Sequence, residues 1–378
     1  MKRLFCIFLV FSILSSFTCA MAEPAPPAPS VSAPSAILME KSTGQVLYEK
    51  DPMRHYCPAS VTKIMTMLLI VEDIEAGRLS LEDTVTASAR AASFGGSCVF
   101  LAEGERMSVS DMLKCIAVVS ANDCAVAMAE HISGSEQEFV RRMNQRAAEL
   151  GLKDTNFTNC TGLFDDENHY TCAYDVALMS RELIGHDMIK NYTTIWMDSI
   201  RGGEFELSST NRLVYWYPGC TGLKTGYTEA AKYCLSATAE REGVEYIAVV
   251  MHSDSSDSRN NDAQALLDHA FAYYTLCSLK GAQPPAVRVD MGREDYVPAT
   301  LGGPDYAVVP KSASEAEYTL SVEKCVSAPV KSGDKLGVLI VRRDGKTLAK
   351  LPVLAARDVP RLGFFGILGR LALSLLGV

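Results

Sequence analysis

Residues 58–76 read Pro58-Ala59-Ser60-Val61-Thr62-Lys63-Ile64-Met65-Thr66-Met67-Leu68-Leu69-Ile70-Val71-Glu72-Asp73-Ile74-Glu75-Ala76, and Gly77 follows. From residue 61 to 76 the run is apolar on nearly every side, which predicts a deeply buried helix, and Gly77 suits its C-terminal stop. Ser60 and Lys63 stand at its start. Residues three apart share a helical face, so the lysine amine reaches the serine hydroxyl. Serine is a weak nucleophile until a base removes its proton, and lysine serves as that base only where burial or a neighbouring cation keeps it neutral. The free N–H groups of a helix start favour negative charge at the same place. Ser-x-x-Lys alone is a common pattern. It recurs at Ser321/Lys324 and Ser332/Lys335, in strand-like surroundings where the two residues do not share a face.

Around this helix the pattern alternates between helix and strand. Residues 36–40 and 45–48, joined through Ser42-Thr43-Gly44, read as a hairpin. Helices are predicted over 110–118, 123–132, 137–150, 173–184 and 263–276, three of them followed by Gly134, Gly151 and Gly185. Residues 233–239 and 246–252 read as a strand pair about Glu242-Gly243. After Gln283-Pro284-Pro285 the character changes to short strand-like runs at 287–290, 306–309, 318–322 and 336–341, with a strong hairpin turn at Asp344-Gly345. The domains expected are 35–280, mixed helix and strand, and 284–358, all β.

Two further short motifs stand near helix or strand boundaries. Ser120-Ala121-Asn122 falls in a break between two apolar helices, where a loop can project both side chains into a cleft. A cap on the next helix is the plainer use of either residue. The same pattern recurs at Ser209-Thr210-Asn211 and Ser258-Arg259-Asn260. Lys224-Thr225-Gly226 occurs once, in a glycine-dense segment placed here just before a strand, where glycine lets a ligand or another backbone approach closely.

In the order Ser-x-x-Lys, Ser-x-Asn, Lys-Thr-Gly, these segments resemble the penicillin-recognising serine acyltransferases. Pro58-Ala59-Ser60, Ser120-Ala121-Asn122-Asp123, Met143-Asn144 before Leu150-Gly151, and Gly222-Leu223-Lys224-Thr225-Gly226 narrow the resemblance to the D-alanyl-D-alanine carboxypeptidases among the low-molecular-mass penicillin-binding proteins. It extends over nearly the whole chain, with Gly363-Phe364-Phe365-Gly366 as a matching detail. The resemblance implies an α+β catalytic domain of the serine β-lactamase and penicillin-binding-protein type, an antiparallel sheet with helices plus an all-helical subregion. A small all-β sandwich and a C-terminal amphipathic helix should follow.

The resemblance also implies roles. Ser60 is the nucleophile and Lys63 its base, with Ser120 and Asn122 completing the proton network. The backbone N–H groups of Ser60 and Tyr227 form the oxyanion hole. Lys224, Thr225 and Gly226 bind substrate, and Arg259, placed before Asn260-Asn261-Asp262 and the helix, binds its carboxylate. The partners implied are peptidoglycan stem peptides ending in D-Ala-D-Ala, with β-lactams as inhibitors, and no metal or cofactor is called for. The Gly95-Gly96-Ser97 loop resembles a segment near the family's active site and is left outside the catalytic set.

The N-terminus reads as a secretory signal over 1–22: basic Lys2-Arg3, the apolar run 4–14, and Ala20-Met21-Ala22 before Glu23. Residues 23–34 form a Pro- and Ala-rich linker. Residues 359–378 read as an amphipathic helix, Gly363, Gly366, Arg370, Ser374 and Gly377 sharing one stripe. Such a helix lies in a membrane surface and does not span it, which places the enzyme on the outer face of the cytoplasmic membrane, at the cell wall. With 36 basic against 45 acidic residues, net −9, and no basic cluster, the chain is not a nucleic-acid binder. The twelve cysteines are scattered without a C-x-x-C pair, so mostly free thiols are expected.

The competing readings are a β-lactamase, a peptidoglycan endopeptidase or transpeptidase on the same scaffold, and a non-enzymatic wall-binding protein. The first lacks a Glu-x-x-Leu-Asn segment between Asn122 and Lys224, and the last leaves Ser60 and Lys63 without a use.

Overall fold

A computed structural model describes residues 27–368 apart from 165, 314, 315 and 344. The expected signal sequence, the start of the expected linker and the chain beyond 368 lie outside the described residues.

A five-stranded antiparallel sheet organises the first part of the chain. Its strands run in the order Val46–Lys50, Ser35–Glu40, Val244–Ser253, Lys232–Arg241, Cys220–Thr228. Side chains alternate across it, and both faces are covered. Ile37, Met39, Ile247, Val249 and Met251 face a cluster of helices, while Ala36, Leu38, Tyr246, Ala248 and Val250 face the helix Ser256–Tyr273. Double coverage explains why these strands read as continuous apolar runs and not as clean alternation.

The helical cluster is built about Lys63–Glu75. Every residue from Lys63 to Val71 on it is buried, as expected of a helix apolar all round. The helices Val109–Val118, Asn122–Ser133, Glu136–Glu149 and Ala173–Leu183 surround it, each within two residues of its predicted bounds. Cys115 and Cys124 are buried thiols of this core.

Two expectations fail near the end of this unit. The helix predicted over 263–276 begins at Ser256, because Ser255 caps it: the Ser255 hydroxyl accepts from the Ser258 amide (3.0 Å) and the Ser258 hydroxyl from the Ser255 amide (3.1 Å). Arg259 therefore stands within the first turn and not ahead of it. The helix also stops at Tyr273. Tyr274–Ser278 is a strand paired with Tyr306–Pro310, since its aromatic and β-branched residues suit a sheet better than a last helical turn. Leu279 and Ala282 pack with Val309 and Leu339 in the β-rich part, so that part starts earlier in the chain than the composition change suggests.

The remaining described residues form a C-terminal β domain. Its four-stranded sheet runs Ala299–Leu301, Lys346–Ala355, Lys335–Arg343, Glu317–Val322, and a three-stranded sheet holds Val287–Asp290. Arg343 pairs with Lys346, which leaves a two-residue connection at the predicted turn, with Gly345 at φ 76°. Residues 364–368 are helical. No helix among the described residues is long and apolar enough to cross a membrane.

Candidate active site

Ser60 lies in a short 3-10 turn, Ala59–Thr62, that runs directly into the central helix. Ala59 ahead of it adopts φ 46°, a left-handed conformation costly for a residue with a Cβ. Lys63 Nζ lies 2.9 Å from Ser60 Oγ, 2.6 Å from Asn122 Oδ1 and 2.8 Å from the Thr161 carbonyl oxygen. A neutral amine has two N–H groups and one lone pair. Asn122 and Thr161 accept the two protons, so the lone pair is left facing the serine hydroxyl. Lys63 is fully buried, and that desolvation lowers its pKa to about 7 against weaker opposing effects of Cys160, Cys98 and Asp123. An amine with its pKa near 7 is neutral in about half of the molecules at neutral pH.

The Ser-x-Asn turn is built for something other than capping. The cap position of the following helix is Ala121, and no side chain caps it. Ser120 adopts φ 63°, is 3% exposed, and its hydroxyl has no hydrogen-bond partner among the described residues. A buried orphan hydroxyl on a strained backbone is a costly arrangement, typical of functional sites. Asn122 is fixed by the loop that sequence reading had set aside: its amide donates to Ser97 O (2.7 Å) and its Nδ2 to Gly95 O (2.8 Å). Asp123 holds that loop in turn, accepting from the amides of Val99 (3.1 Å) and Leu101 (3.0 Å).

The segment supplying the Thr161 carbonyl was not legible in advance. Asn159 Oδ1 accepts from the Thr161 amide (3.1 Å), the Thr161 hydroxyl (3.1 Å) and the Gly162 amide (2.6 Å). Gly162, at φ 72°, lies so close to the nucleophile's turn that a Cβ there would fall 1.8 Å from Ala59 O. His169 closes the arrangement. Its Nδ1 accepts from the Thr158 amide (2.9 Å), so its Nε2–H donates to Thr62 Oγ1 (2.8 Å), and burial lowers its pKa to about 4.

Lys224-Thr225-Gly226 is not ahead of a strand but within one, the edge strand Cys220–Thr228. Gly226 is what lets that edge approach the nucleophile: a Cβ there would stand 2.9 Å from Pro58 O and 3.2 Å from Ser60 N. Tyr227 follows, exposed, its ring tilted 34° against that of Tyr233 with centroids 4.5 Å apart. Lys224 and Arg259 are both buried. Lys224 Nζ donates to Thr225 O (3.0 Å), and Arg259 to Asn260 Oδ1 and Ser256 Oγ (both 3.2 Å). Neither forms an ion pair with a described carboxylate. Burial, then the charges of Lys63 and Arg259, push Lys224 well below the usual lysine range, and burial lowers Arg259 to about 10. Arg259 thus keeps its charge at neutral pH with no described carboxylate beside it, while Lys224 holds its proton weakly.

Two other groupings have the chemistry of metal ligands, Glu72 with Glu182 and His186, and Asp154 with Cys172 and Asp175. Neither includes a residue of the Ser60 cleft, and Arg146 already bridges Glu72 (2.8 Å) and Glu182 (2.5 Å). In a polar surface cavity lined by Glu40, Lys41, Arg181, Lys190 and Glu245, Lys41 and Lys190 pair with Glu245 (3.0 and 2.9 Å) and Arg181 donates to the backbone carbonyls of Lys41 and Ser42.

The chain is similar to known proteins over most of its length. A family described as D-alanyl-D-alanine carboxypeptidase matches residues 21–255, and one described as penicillin-binding protein 5, C-terminal domain, matches residues 274–361. The D-alanyl-D-alanine carboxypeptidase DacF of Bacillus subtilis is 44% identical over 345 residues, 89% of this chain and 88% of that one. The crystal structure of penicillin binding protein 5 from Haemophilus influenzae aligns with a TM-score of 0.80 at 29% identity, over 89% of this chain and 99% of that one. Penicillin-binding protein D2 from Listeria monocytogenes, solved in an ampicillin-bound form, aligns with a TM-score of 0.60 at 28% identity, over 65% of this chain and all of that one.

The burial of Lys63 sets a pH dependence. An amine can work as a base only after losing its proton, so the rate at which an acylating agent modifies Ser60 should rise with pH about a midpoint near 7 and level off roughly one unit above it. One pH unit below the midpoint the rate should be about a tenth of the plateau. Stopped-flow acylation between pH 5 and 9 measures this, and a flat profile down to pH 5 would exclude Lys63 as the base.

Proposed function

The chain belongs to the D-alanyl-D-alanine carboxypeptidase family, and from that premise we propose how the residues of the Ser60 cleft divide the reaction among them. It is a serine-type D-Ala-D-Ala carboxypeptidase of cell-wall synthesis, acting on peptidoglycan and binding β-lactams. The observation that carries the residue assignment is Lys63 Nζ set among Ser60 Oγ, Asn122 Oδ1 and the Thr161 carbonyl.

Ser60 gives its proton to neutral Lys63 as its oxygen attacks the carbonyl carbon of the penultimate D-alanine. The oxyanion forms between the backbone N–H groups of Ser60 and Tyr227. The closeness of Gly226 to Ser60 N supports this, and each such donor typically contributes about 3–4 kcal/mol to the transition state. The tetrahedral centre collapses, the C–N bond breaks, and the departing D-alanine amine takes a proton that Lys63 returns through the Ser120 hydroxyl. Water then attacks the Ser60 ester with Lys63 again as base, releasing the shortened peptide and restoring the serine. Until it departs, the terminal D-alanine keeps its carboxylate facing Thr225, Lys224 and Arg259. Its arrival stabilises the Lys224 proton that burial and like charge disfavour in the empty pocket. A penicillin acylates the same serine and, lacking a departing amine, leaves slowly.

The direct test is release of D-alanine from an N-acylated Lys-D-Ala-D-Ala peptide by the parent chain and by Ser60→Ala. The parent should release it and the variant should fall by at least about a thousandfold. Equal release by both would remove Ser60 from the mechanism.

For the rest of the chain, we assign residues 1–22 to an export signal, cleaved before the Pro- and Ala-rich linker. The β domain from Tyr274 is a spacer or docking unit, and residues 359–378 are a peripheral anchor on the outer face of the cytoplasmic membrane. Exposed Phe364, Phe365 and Leu368 support the anchor. The exported chain should sediment with vesicles containing anionic phospholipid, while the chain ending at residue 361 stays in solution. Equal sedimentation would refute the anchor.

A further inference from the structure

The second Ser-x-Asn segment, Ser209-Thr210-Asn211, has no part in the mechanism above. Its outer members are used locally: the Asn211 amide donates to Ser209 Oγ (3.2 Å), and the Leu213 amide to Asn211 Oδ1 (3.2 Å). Thr210 behaves differently. Its amide donates to Val118 O (3.0 Å), the last residue of the helix that leads into the Ser120 turn. Its hydroxyl meets Thr225 on the opposite wall, where Thr225 Oγ1 donates to Thr210 Oγ1 at 2.7 Å. Thr210 thus ties the helical side of the cleft to the edge strand at the carboxylate-facing threonine. Thr210 is itself exposed, while Thr225 is 7% exposed.

From this geometry we infer that Thr210 is a positioning residue of the carboxylate subsite, holding and orienting the Thr225 hydroxyl for the substrate's anion. The inference rests on the assignment of Thr225 to that carboxylate. A hydroxyl has one proton and two lone pairs. In the empty cleft the Thr225 proton is directed to Thr210. When a carboxylate seats, Thr225 turns its proton to the carboxylate oxygen, and Thr210 donates its own proton to the Thr225 oxygen. No proton is transferred. The Thr225 oxygen stays satisfied in both states, and a hydroxyl that accepts a hydrogen bond donates a stronger one. Thr210 should therefore affect binding of the anion and leave the chemistry at Ser60 nearly untouched.

The test compares acylation of the full chain by benzylpenicillin, which carries the carboxylate, and by its methyl ester, which does not. Thr210→Val should slow acylation by the acid roughly three- to tenfold, the scale of one lost neutral hydrogen bond, and leave the ester rate unchanged. Thr210→Ser should restore the acid rate, because the hydroxyl and not the methyl group carries the effect. With the peptide substrate, Thr210→Val should raise KM by a similar factor and change kcat less than twofold. An equal loss on acid and ester, or no loss on either, would overturn the inference. Thr225→Val, run in parallel, separates the two claims. If it discriminates acid from ester and Thr210→Val does not, the subsite stands and the role of Thr210 falls; if it does not discriminate, both fall.

Discussion

Everything in this cleft depends on a lysine amine held out of water. Lys63 is the first residue of a helix with no polar surface until its last turn, so its side chain has no route to solvent. Burying a lone ammonium costs several kcal/mol, which is why its proton is held so loosely. The remaining requirement is direction. Asn122 and Thr161 take the two protons a neutral amine retains, and each is fixed by other contacts: Asn122 by the 95–101 loop and Asp123, Thr161 by Asn159 and the glycine that follows. These supports fix the direction of the buried amine, and the proposed role of Lys63 as base rests on that.

The sheet contributes by presenting an edge. Cys220–Thr228 is paired on one side only, and its outer side faces the turn that bears Ser60. A side chain at Gly226 would hold the two apart. The same strand supplies Lys224 and Thr225, with Arg259 behind them on the first turn of the helix Ser256–Tyr273. One wall of the cleft is therefore helical and carries Lys63, Ser120 and Asn122, while the other is a strand edge carrying Lys224 and Thr225. Thr210 bridges the two.

Much of this was legible in the sequence because the reactive side chains sit in three short words, and because a helix as apolar as residues 61–76 has only one place to go. The unread parts have physical reasons. The Thr161 carbonyl is a backbone group and has no residue signature; Asn159 and Gly162 were the available hint, as a tight turn. Thr210 stood inside a pattern whose first occurrence drew the attention. The start of the helix at Ser256 depended on a reciprocal serine cap in place of the more familiar Ser–Glu pairing, and this moved Arg259 from a loop into a helical turn. The strand Tyr274–Ser278 continues an apolar run that periodicity alone cannot divide between helix and sheet. Lys224-Thr225-Gly226 reads as lying ahead of a strand because three glycines in the eight residues 219–226 are poor strand formers; an edge that must approach another backbone tolerates them.

The central claim is that Ser60 is the atom on which an acyl group is carried. The measurement that tests it most directly is peptide mapping by mass spectrometry of the chain quenched in acid within seconds of mixing with benzylpenicillin. The account predicts one penicilloyl adduct per chain, on the peptide containing Ser60 and on the Ser60 oxygen itself, absent when Lys63 is replaced by alanine. An adduct on another residue, or none from a folded chain at saturating penicillin, would contradict it.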